Sequence, residues 1–517
     1  MIQQLIQHTR QHLATYSQLA VLLLAVSLVL VRINSKTVGF TDELLFEQAG
    51  YSMAYGQHWL IPELDNRPWL EKPPLYFWIT GLTFRLTDLV RPDLNLQNID
   101  ANLDQLGRYN YPWIRRVGTL LGIVLLVWFG VSFMRAVFKH NGLALLAGLM
   151  LLANPSVTFN LSTGSLDMLY IGLATAGLYY YWKATTHHQT KDFWLAGSLI
   201  ALGIMARSLF ALTPVAVIGL TQLIYRPKLK RSDWLGLLLP VAVIVLPWHI
   251  YVATVYPQQF WYIYLGFNLF GHALEVPPGY QSSTPWFYVK KLISWNLWIY
   301  LFLAWLVIWQ WKGRKNSLNP YARASRTGVW MLFWWFAIPF VVLTVSQTRH
   351  LWYGIQFMVP LVLLIAPAIY QLYQQSHTRS GQPPFLASLS EMLYLTIILT
   401  FPTVLMLKNT NVAPVDALLT ARQKLPADVP LHQVELHLLP NSPMFRPHPI
   451  KTLSWDELKT AAESTSPFWL YLQQAQKDQA TQRLPHLIKI KDYTVSAIYR
   501  QPKPKPSPDN PSASSAE

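Results

Sequence analysis

This sequence of 517 residues contains no cysteine, and only 13% of its residues are charged. Without cysteine the chain has no disulfide, no thiolate metal site and no cysteine nucleophile. Hydrophobic residues make up 52% of the chain, and their runs recur at the length that crosses a lipid bilayer. These proportions indicate a polytopic α-helical membrane protein rather than a soluble one.

Acidic residues are also scarce, since the chain has 25 Asp and Glu against 41 Lys and Arg, a formal net charge of +16. A charge of this size can indicate a nucleic-acid partner. Here, however, the basic residues lie in short loops beside apolar runs, where the positive-inside bias of membrane proteins accounts for them. We therefore expect membrane lipids, and no nucleic acid, around these loops.

The apolar runs predict about eleven membrane spans. They lie at approximately 18–33, 117–136, 141–160, 165–183, 192–206, 208–225, 233–252, 292–311, 328–346, 351–373 and 387–407. Inner loops carry more Lys and Arg than outer loops if the N-terminus is cytoplasmic, which predicts that orientation. The first run lacks a small-residue cleavage site and is expected to stay as an anchor. Counting the apolar segment 73–89 as a span would invert the later charge bias, so we place it outside as a surface or re-entrant helix.

Composition divides the chain into a membrane domain and a smaller soluble part. Residues 1–409 are predicted to form the transmembrane domain, with 34–112 as its first outer loop and 253–291 as an outer flap. The flap is rich in proline and aromatic residues, and we interpret it as too irregular for a helix and too apolar for free coil. Residues 410–501 are predicted to form a small extracytoplasmic α/β domain, followed by a disordered tail at 502–517.

Within the soluble part, alternating apolar residues predict individual elements. Strands are expected at 432–439 and 467–472, a helix at 455–463, and a β-hairpin over 487–500.

The first outer loop holds charged residues that a purely structural membrane segment does not need. Asp42 and Glu43 open it, and apolar residues at near-helical spacing then face Glu47, the pattern of a helix lying in the membrane surface. Glu71 and Lys72 stand just before two prolines that start a new helix. Acid and base are thus kept together at a membrane surface.

Several short motifs follow one another over roughly residues 15–410. They are Asp42-Glu43 with Glu47, Glu71-Lys72-Pro73-Pro74 with Tyr76 and Trp78, Arg115-Arg116, Asp167, Pro247-Trp248, and SQTRHLWYGIQFMVP at 346–360. This series resembles the GT-C glycosyltransferases that use polyprenyl-phosphate sugars, in particular bacterial relatives of the protein O-mannosyltransferases and the lipid A aminoarabinose transferases. The resemblance implies the bacterial inner (plasma) membrane, a GT-C fold and an active site on the extracytoplasmic face.

The chain departs from the family pattern at several places. Arg207-Ser208 stands where the family has Lys-Gly, and Arg349 where it has Lys, so a cation is kept with another geometry. In the flap, Asn268 and Gly271 stand where the family has His and Arg, with His272 one place beyond. These differences fall on the side that would meet sugar and acceptor, so the resemblance leaves the substrate open.

A lipid-phosphate sugar donor requires cations for the departing phosphate and a carboxylate to orient or deprotonate the attacking hydroxyl. We predict Asp42 as that base, with Glu43 and Asp167 as further acids of the site. The alternative role for Asp42 is to cap the helix that follows, and one residue can do both; for Asp167 the site acid and the cap of the following span are weighed evenly. The residues predicted to bind phosphate or substrate are Lys72, Glu71, Arg207, Arg349, Tyr353, Arg115 and His272. The alternative for the cations is contact with lipid headgroups.

This chemistry requires no cofactor. Glu71, His272 and Glu275 offer ligands that suit a divalent ion, but their irregular spacing does not single out a metal site. The predicted function is transfer of a sugar from a polyprenyl-phosphate carrier to an extracytoplasmic lipid, glycan or protein. The alternative is a lipid or solute transporter or flippase, which would place charges near mid-span and show paired repeats. The charges here lie at span ends, and no repeat is visible.

The predicted topology places the first outer loop and residues 410–517 on the same outer side of the membrane. Reporter fusions near Asn98 and after Leu407 should both give an outside signal. An inside signal at either position would separate the proposed site residues onto two faces and would remove the common active site.

Overall fold

A computed structural model gives the architecture of the chain. It describes residues 2–33, 41–56, 58–64, 67–94, 96, 112–161, 163–271, 286–292, 321, 324–347, 349–380, 431–434, 451–453, 456–458, 460, 469–473, 488–492 and 496–500. Within these ranges the chain forms a bundle of helices followed by a β-sheet near the C-terminus.

The helices occupy most of the first 380 residues. They are α1 Ile2–Ile33, α2 Thr41–Tyr55, α3 Leu75–Val90, α4 Pro112–Phe138, α5 Asn141–Ala153, α6 Pro155–Leu161, α7 Leu166–His187, α8 Thr190–Arg207, α9 Thr213–Tyr225, α10 Arg231–Val255, α11 Phe287–Leu292, α12 Arg326–Val345 and α13 Ile355–Ser380. Short 3₁₀ turns span Pro92–Leu94, Ser208–Leu212 and Leu351–Gly354.

The polytopic membrane architecture is confirmed. Four described helices are long and apolar enough to cross a bilayer, namely Trp113–Phe138, Arg231–Val255, Arg326–Val345 and Trp352–Gln371, and the bent pair α5 and α6 would make a fifth. Two predicted spans, 387–407 and all but the first residue of 292–311, lie outside the described residues. The number eleven therefore stays a prediction.

The span predicted at 141–160 is broken into two helices, which corrects the expectation of one continuous helix. The chain bends by 62° between α5 and α6. Asn154 has an extended backbone, and its side-chain oxygen accepts hydrogen bonds from the amides of Ser156 and Val157 at 3.0 and 3.4 Å. Pro155 then starts α6, as proline suits a first helical position. Because of the bend, α6 packs against the turn at Leu351–Gly354. A Cβ atom on Gly354 would lie 3.2 Å from Ser156 Oγ.

Helix α2 forms where the sequence predicted a surface helix, but its polar side is not exposed. Glu47 and Gln48 are buried together with the apolar residues of the helix. The reason is electrostatic, because an arginine of α4 packs on this side and pairs with Glu47. Helix α3 forms over the segment expected to be a surface or re-entrant helix and packs against α2 and α4.

The first part of the predicted flap is helical, which corrects the expectation that 253–291 is too irregular for a helix. A turn at Pro257–Gln259 leads into a π-helix over Phe260–Gly271. Proline fits this first turn, and no further proline interrupts the segment before its end. The π-helix contacts α10 through a hydrogen bond of 2.7 Å between Tyr264 and His249.

Near the C-terminus five strands form one mixed sheet in the order β4-β3-β5-β7-β6. The strands are β3 Leu431–Val434, β4 Lys451–Leu453, β5 Trp469–Gln473, β6 Ile488–Asp492 and β7 Ser496–Arg500, while β1 Glu63–Leu64 and β2 Arg67–Pro68 form a small separate hairpin. The predicted antiparallel hairpin is present as β6 and β7, and strands β3 and β5 overlap the other two predicted strand segments. Strand β4 was not predicted. Whether 410–501 is a separate outer domain stays a prediction.

Helices α4 and α7 approach each other so closely that their backbones touch. A Cβ atom on Gly122 would lie 2.3 Å from the carbonyl oxygen of Met168, and one on Gly172 would lie 2.3 Å from the carbonyl oxygen of Gly122. Both distances are far below van der Waals contact. Glycine at these two positions therefore sets the spacing of the two helices.

Replacing Gly122 or Gly172 by alanine should destabilise the protein, because neither backbone can move without disturbing the other helix. We expect a loss of about 1–3 kcal/mol in the free energy of unfolding, measured by SDS titration in mixed micelles. Gly219→Ala is the matched control, since a Cβ there meets nothing within 4 Å. Gly219→Ala should be neutral or stabilising. Equal effects at all three positions would contradict the close-contact explanation.

Candidate active site

Four charged side chains form a buried ion cluster between the start of α2 and the start of α4. Glu43 accepts hydrogen bonds from the Nε atoms of Arg115 and Arg116 at 2.9 and 2.8 Å, and Glu47 accepts from Arg115 Nη1 at 3.0 Å. Each side chain is at most 2% exposed. Charges this deep require partners, since an unpaired one costs several kcal/mol. We refer to these four residues as the ion cluster.

Helical spacing explains how the cluster is built. Glu43 and Glu47 are one turn apart on α2, so both carboxylates point to the same side of that helix. Burial raises the pKa of Glu47, while Arg115 acts in the opposite direction. Among the side chains that the structure describes, Arg115 Nη2 has no hydrogen-bond partner although it is buried.

Helix α3 contributes Tyr76 to the same place. Its hydroxyl donates to the carbonyl oxygen of Arg115 at 2.7 Å. Burial raises the pKa of Tyr76, so the hydroxyl stays protonated and remains a donor. Gly164, just before α7, packs against this group, because a Cβ there would lie 2.9 Å from the Arg115 carbonyl oxygen and 3.0 Å from Glu43 Cγ.

Asp42, the predicted base, is the second residue of α2 and directly precedes Glu43 of the ion cluster. Its side chain lies outside the described part of the structure. The backbone position is nevertheless fixed by the cluster, since Glu43 is held by two arginines of α4.

A second charged group lies where the start of α7, the end of α8 and the turn at Leu351–Gly354 meet. Asp167, in the first turn of α7, accepts a hydrogen bond of 2.6 Å from Nε of Arg207, the last residue of α8. The two side chains are 7% and 4% exposed. The guanidinium of Arg207 lies over the ring of Tyr353, with Cζ 5.0 Å from the ring centre, and Tyr353 also forms a side-chain hydrogen bond with it. These contacts bring together Asp167, Arg207 and Tyr353, three residues predicted from the sequence.

Arg349 lies in the turn that precedes Tyr353. It is buried, and its Nε and Nη2 donate to the carbonyl oxygen of Thr344 at 3.3 and 3.0 Å. Tyr288 of α11 donates to the carbonyl oxygen of His350 at 2.9 Å, and its hydroxyl lies close enough to Arg349 and Asp167 for their charges to act on it. Arg349 therefore lies on the same side of the bundle as the Asp167–Arg207 pair.

Glu71 and Lys72 lie in the connection between the β1–β2 hairpin and α3, and both are partly buried. Packing holds this connection on both sides: Leu70 is 1% exposed, and Trp69 packs its ring 5.4 Å from that of Phe77 on α3. The backbone that carries Lys72 is thus fixed.

Among the described residues there is no group of three or more His, Asp or Glu side chains with the arrangement of a metal site. His272 and Glu275, which the sequence offered as substrate or metal ligands, lie outside the described residues.

One member of the site, Tyr288, was not predicted, and Arg116 and Glu47 were noted only as parts of motifs. The spacing of Glu47 four residues after Glu43 could have predicted its pairing with the same arginine. The Tyr288 contact depends on tertiary structure, which no local pattern reveals.

The chain matches no protein-family model. It is 23% identical over 361 residues to an undecaprenyl phosphate-alpha-4-amino-4-deoxy-L-arabinose arabinosyl transferase 2 of Proteus mirabilis, and 21% identical over 361 residues to a corresponding transferase of Shewanella sediminis. Each alignment covers 68% of this chain but only 59% of the relative, so the chain matches less than two thirds of the length of these relatives.

Solved structures show the fold. The structure of ArnT from Cupriavidus metallidurans bound to undecaprenyl phosphate matches with a TM-score of 0.65 and 15% identity, covering 94% of this chain and 98% of that one. The apo structure matches with a TM-score of 0.61 and 16% identity, covering 95% and 98%. The expected resemblance to aminoarabinose transferases is thereby confirmed. The chain has the same polytopic helical membrane fold as these structures.

Removing one charge of the ion cluster should destabilise the protein far more than removing one charge of an exposed ion pair, because the remaining buried charge loses its compensation. Glu43→Gln places a neutral amide beside buried Arg116 and leaves Arg115 with the charge of Glu47 alone, and we expect a loss of about 3–5 kcal/mol on SDS-induced unfolding. Asp93→Asn is the matched control, because Asp93 pairs with Arg91 while both side chains are about 60% exposed. That variant should change stability little. Similar losses of stability in both variants would contradict the expected difference between the buried ion cluster and the exposed pair.

Proposed function

We propose that this chain is an integral membrane glycosyltransferase that takes a sugar from undecaprenyl phosphate and transfers it to an extracytoplasmic acceptor. The observation that carries the proposal is the fold match over 94% of the chain to a protein solved with undecaprenyl phosphate bound. The relatives named as arabinosyl transferases with an undecaprenyl phosphate donor support the same class of reaction.

The second charged group supports phosphate binding. Arg207 keeps its charge although it is buried, since Asp167 pairs with it at 2.6 Å. The pair as a whole is neutral, so the entry of a phosphate anion requires either a further cation or a shift of Arg207 away from Asp167. We assign Lys72 and Arg349 as the further cations, with the Tyr353 hydroxyl as a hydrogen-bond donor and Glu71 as a neighbour that orients Lys72.

The reaction in this proposal forms a bond between an acceptor oxygen and the anomeric carbon of the sugar. The bond from that carbon to the phosphate oxygen breaks, and undecaprenyl phosphate leaves as an anion, stabilised by the surrounding cations. The proton of an attacking hydroxyl goes to the carboxylate of Asp42. An acceptor that attacks through an ionised phosphate has no proton to give, and Asp42 then only orients it.

Glu43 and Arg115, predicted as a catalytic acid and a phosphate ligand, act in this proposal through the ion cluster. Their polar atoms are largely occupied by each other and by Glu47 and Arg116. They hold the start of α2, and hence Asp42, against α4. His272 would lie on the outer flap and contact the acceptor or the donor headgroup. The site as a whole is assigned to the extracytoplasmic face, with the acceptor an envelope lipid, glycan or protein.

Two variants separate the base from the phosphate clamp. Asp42→Asn should leave the affinity for undecaprenyl phosphate nearly unchanged, while turnover falls about 10²–10⁴-fold, as is typical of a lost general base. Lys72→Ala should weaken binding of undecaprenyl phosphate itself by about 1.5–3 kcal/mol, because a charge-assisted contact is lost. Binding is measured with purified protein in nanodiscs, and turnover by mass spectrometry of the envelope product in a complemented deletion strain.

Lys228→Ala is the matched control for charge removal, since Lys228 is exposed in the loop before α10. It should leave affinity and turnover unchanged. The division of roles is wrong if Asp42→Asn loses affinity as strongly as Lys72→Ala. The proposed function itself fails if the wild-type protein does not bind undecaprenyl phosphate.

A further inference from the structure

A single buried hydroxyl, that of Thr119, connects α4 to the segment that begins α7. Thr119 is fully buried, and its Oγ1 donates to the carbonyl oxygen of Thr163 at 2.9 Å. The same oxygen accepts a hydrogen bond of 2.8 Å from the backbone amide of Ser165. Both bonds reach across from one element to another.

This arrangement differs from the usual one for a buried threonine in a helix, whose hydroxyl bonds to the carbonyl four residues earlier. Thr175 in α7 does this, donating to the carbonyl oxygen of Ile171 at 2.6 Å. For Thr119 the corresponding acceptor is the Arg115 carbonyl, which already accepts from Tyr76. The Thr119 hydroxyl is thus directed away from its own helix, to the Thr163–Ser165 segment and to the neighbouring Tyr76 hydroxyl.

The segment that Thr119 holds is itself rigid. The Ser165 hydroxyl caps α7 by accepting from the amide of Met168 at 3.3 Å and donates to the side-chain oxygen of Asn160. Asn160 is oriented in turn, because its Nδ2 donates to the Ser156 carbonyl at 2.8 Å. The start of α7 therefore cannot shift relative to α6 without breaking several buried hydrogen bonds.

Thr119 also lies between the two charged groups of the site. It is one helical turn after Arg115 and Arg116, which hold Glu43 beside Asp42. On its other side, Ser165 precedes Asp167 by two residues, and Asp167 holds Arg207. The Thr119 hydroxyl is therefore a polar contact between the Asp42 half of the site and the Arg207 half.

We propose that Thr119 is a positioning residue that fixes the distance between the Asp42 half and the Asp167–Arg207 half of the active site. This inference rests on the proposed function. Each half binds its own part of the substrate without help from Thr119. Transfer needs both halves in register, because a misplacement of about 1 Å between reacting groups can lower a rate by about 10²-fold.

The test uses the full-length protein and compares Thr119→Val with Thr119→Ser. Valine keeps the shape of threonine but removes the hydroxyl, whereas serine keeps the hydroxyl and removes a methyl group. Thr175→Val is the matched control, since it makes the same change in a buried threonine whose hydroxyl bonds only within its own helix turn. Affinity is measured with undecaprenyl phosphate as the probe, and turnover as the rate at which the envelope product missing from a deletion strain is restored.

We expect Thr119→Val to lower turnover roughly 10- to 100-fold while its affinity for undecaprenyl phosphate stays within about threefold of wild type. Thr119→Ser and Thr175→Val should keep both quantities near wild type. A purely structural role would instead lower the amount of folded protein and affect affinity and turnover together.

Three results would overturn the inference on Thr119 alone. Thr119→Val with wild-type turnover would show that the contact does not matter, and a loss of turnover in Thr119→Ser would show that packing of the methyl group matters instead. A Thr119→Val variant that does not fold would show that the hydroxyl has a structural role. If the wild-type protein neither binds undecaprenyl phosphate nor restores any product, the proposed function is refuted as well. This result is distinct from an unexpected result in the Thr119 variants alone.

Discussion

The contact between α4 and α7 is the constraint on which the rest of the site depends. Two glycines, Gly122 and Gly172, let the backbones of these helices touch, and no other residue type fits there. Backbone contact leaves little freedom for sliding or rotation, because interiors packed at this density deform only at high cost. Each helix then carries one half of the charged chemistry at its N-terminal end, Arg115 and Arg116 on α4 and Asp167 on α7. The relative positions of these charged residues therefore depend on Gly122 and Gly172.

Burial of charge is the second constraint, and it explains why the acids and bases occur in compensated groups. An isolated ion in this apolar surrounding would cost more than the fold can supply, whereas a paired one is tolerated. Paired charges stabilise weakly compared with apolar packing, so their retention indicates another use. Here they hold α2 at a fixed angle to α4 and hold a guanidinium at the end of α8. The same neutralisation limits what these groups can do chemically, since a guanidinium fully engaged with a carboxylate attracts an anion only weakly.

Sequence reasoning could predict the helices and the identity of several site residues, because apolar runs, prolines and charged motifs are local signals. It found Asp167, Arg207 and Tyr353 separately. It could not predict that they meet, since Asp167 and Arg207 are 40 positions apart and only the packing of α7 on α8 joins them. The break at Asn154 had a local signal in the following proline, but a membrane span predicted from hydropathy alone passes through it. The polar side of α2 was wrongly predicted to be exposed. Glu47 is buried because it pairs with Arg115, which comes from another helix and is not visible in the local pattern.

The contacts of Arg207 with Asp167 and Tyr353 explain why arginine suits position 207, where the similar glycosyltransferases have lysine. A lysine ammonium is a compact charge with no planar face, and beside Asp167 it would be largely neutralised by one ion pair. The guanidinium of Arg207 instead gives its Nε to Asp167 while its face rests on the Tyr353 ring. Stacking on the ring and the Tyr353 hydrogen bond add to that ion pair. Arg207 is therefore anchored on two sides with its guanidinium held in a fixed plane, and a planar fork of donors suits the oxygens of a phosphate better than a single ammonium does.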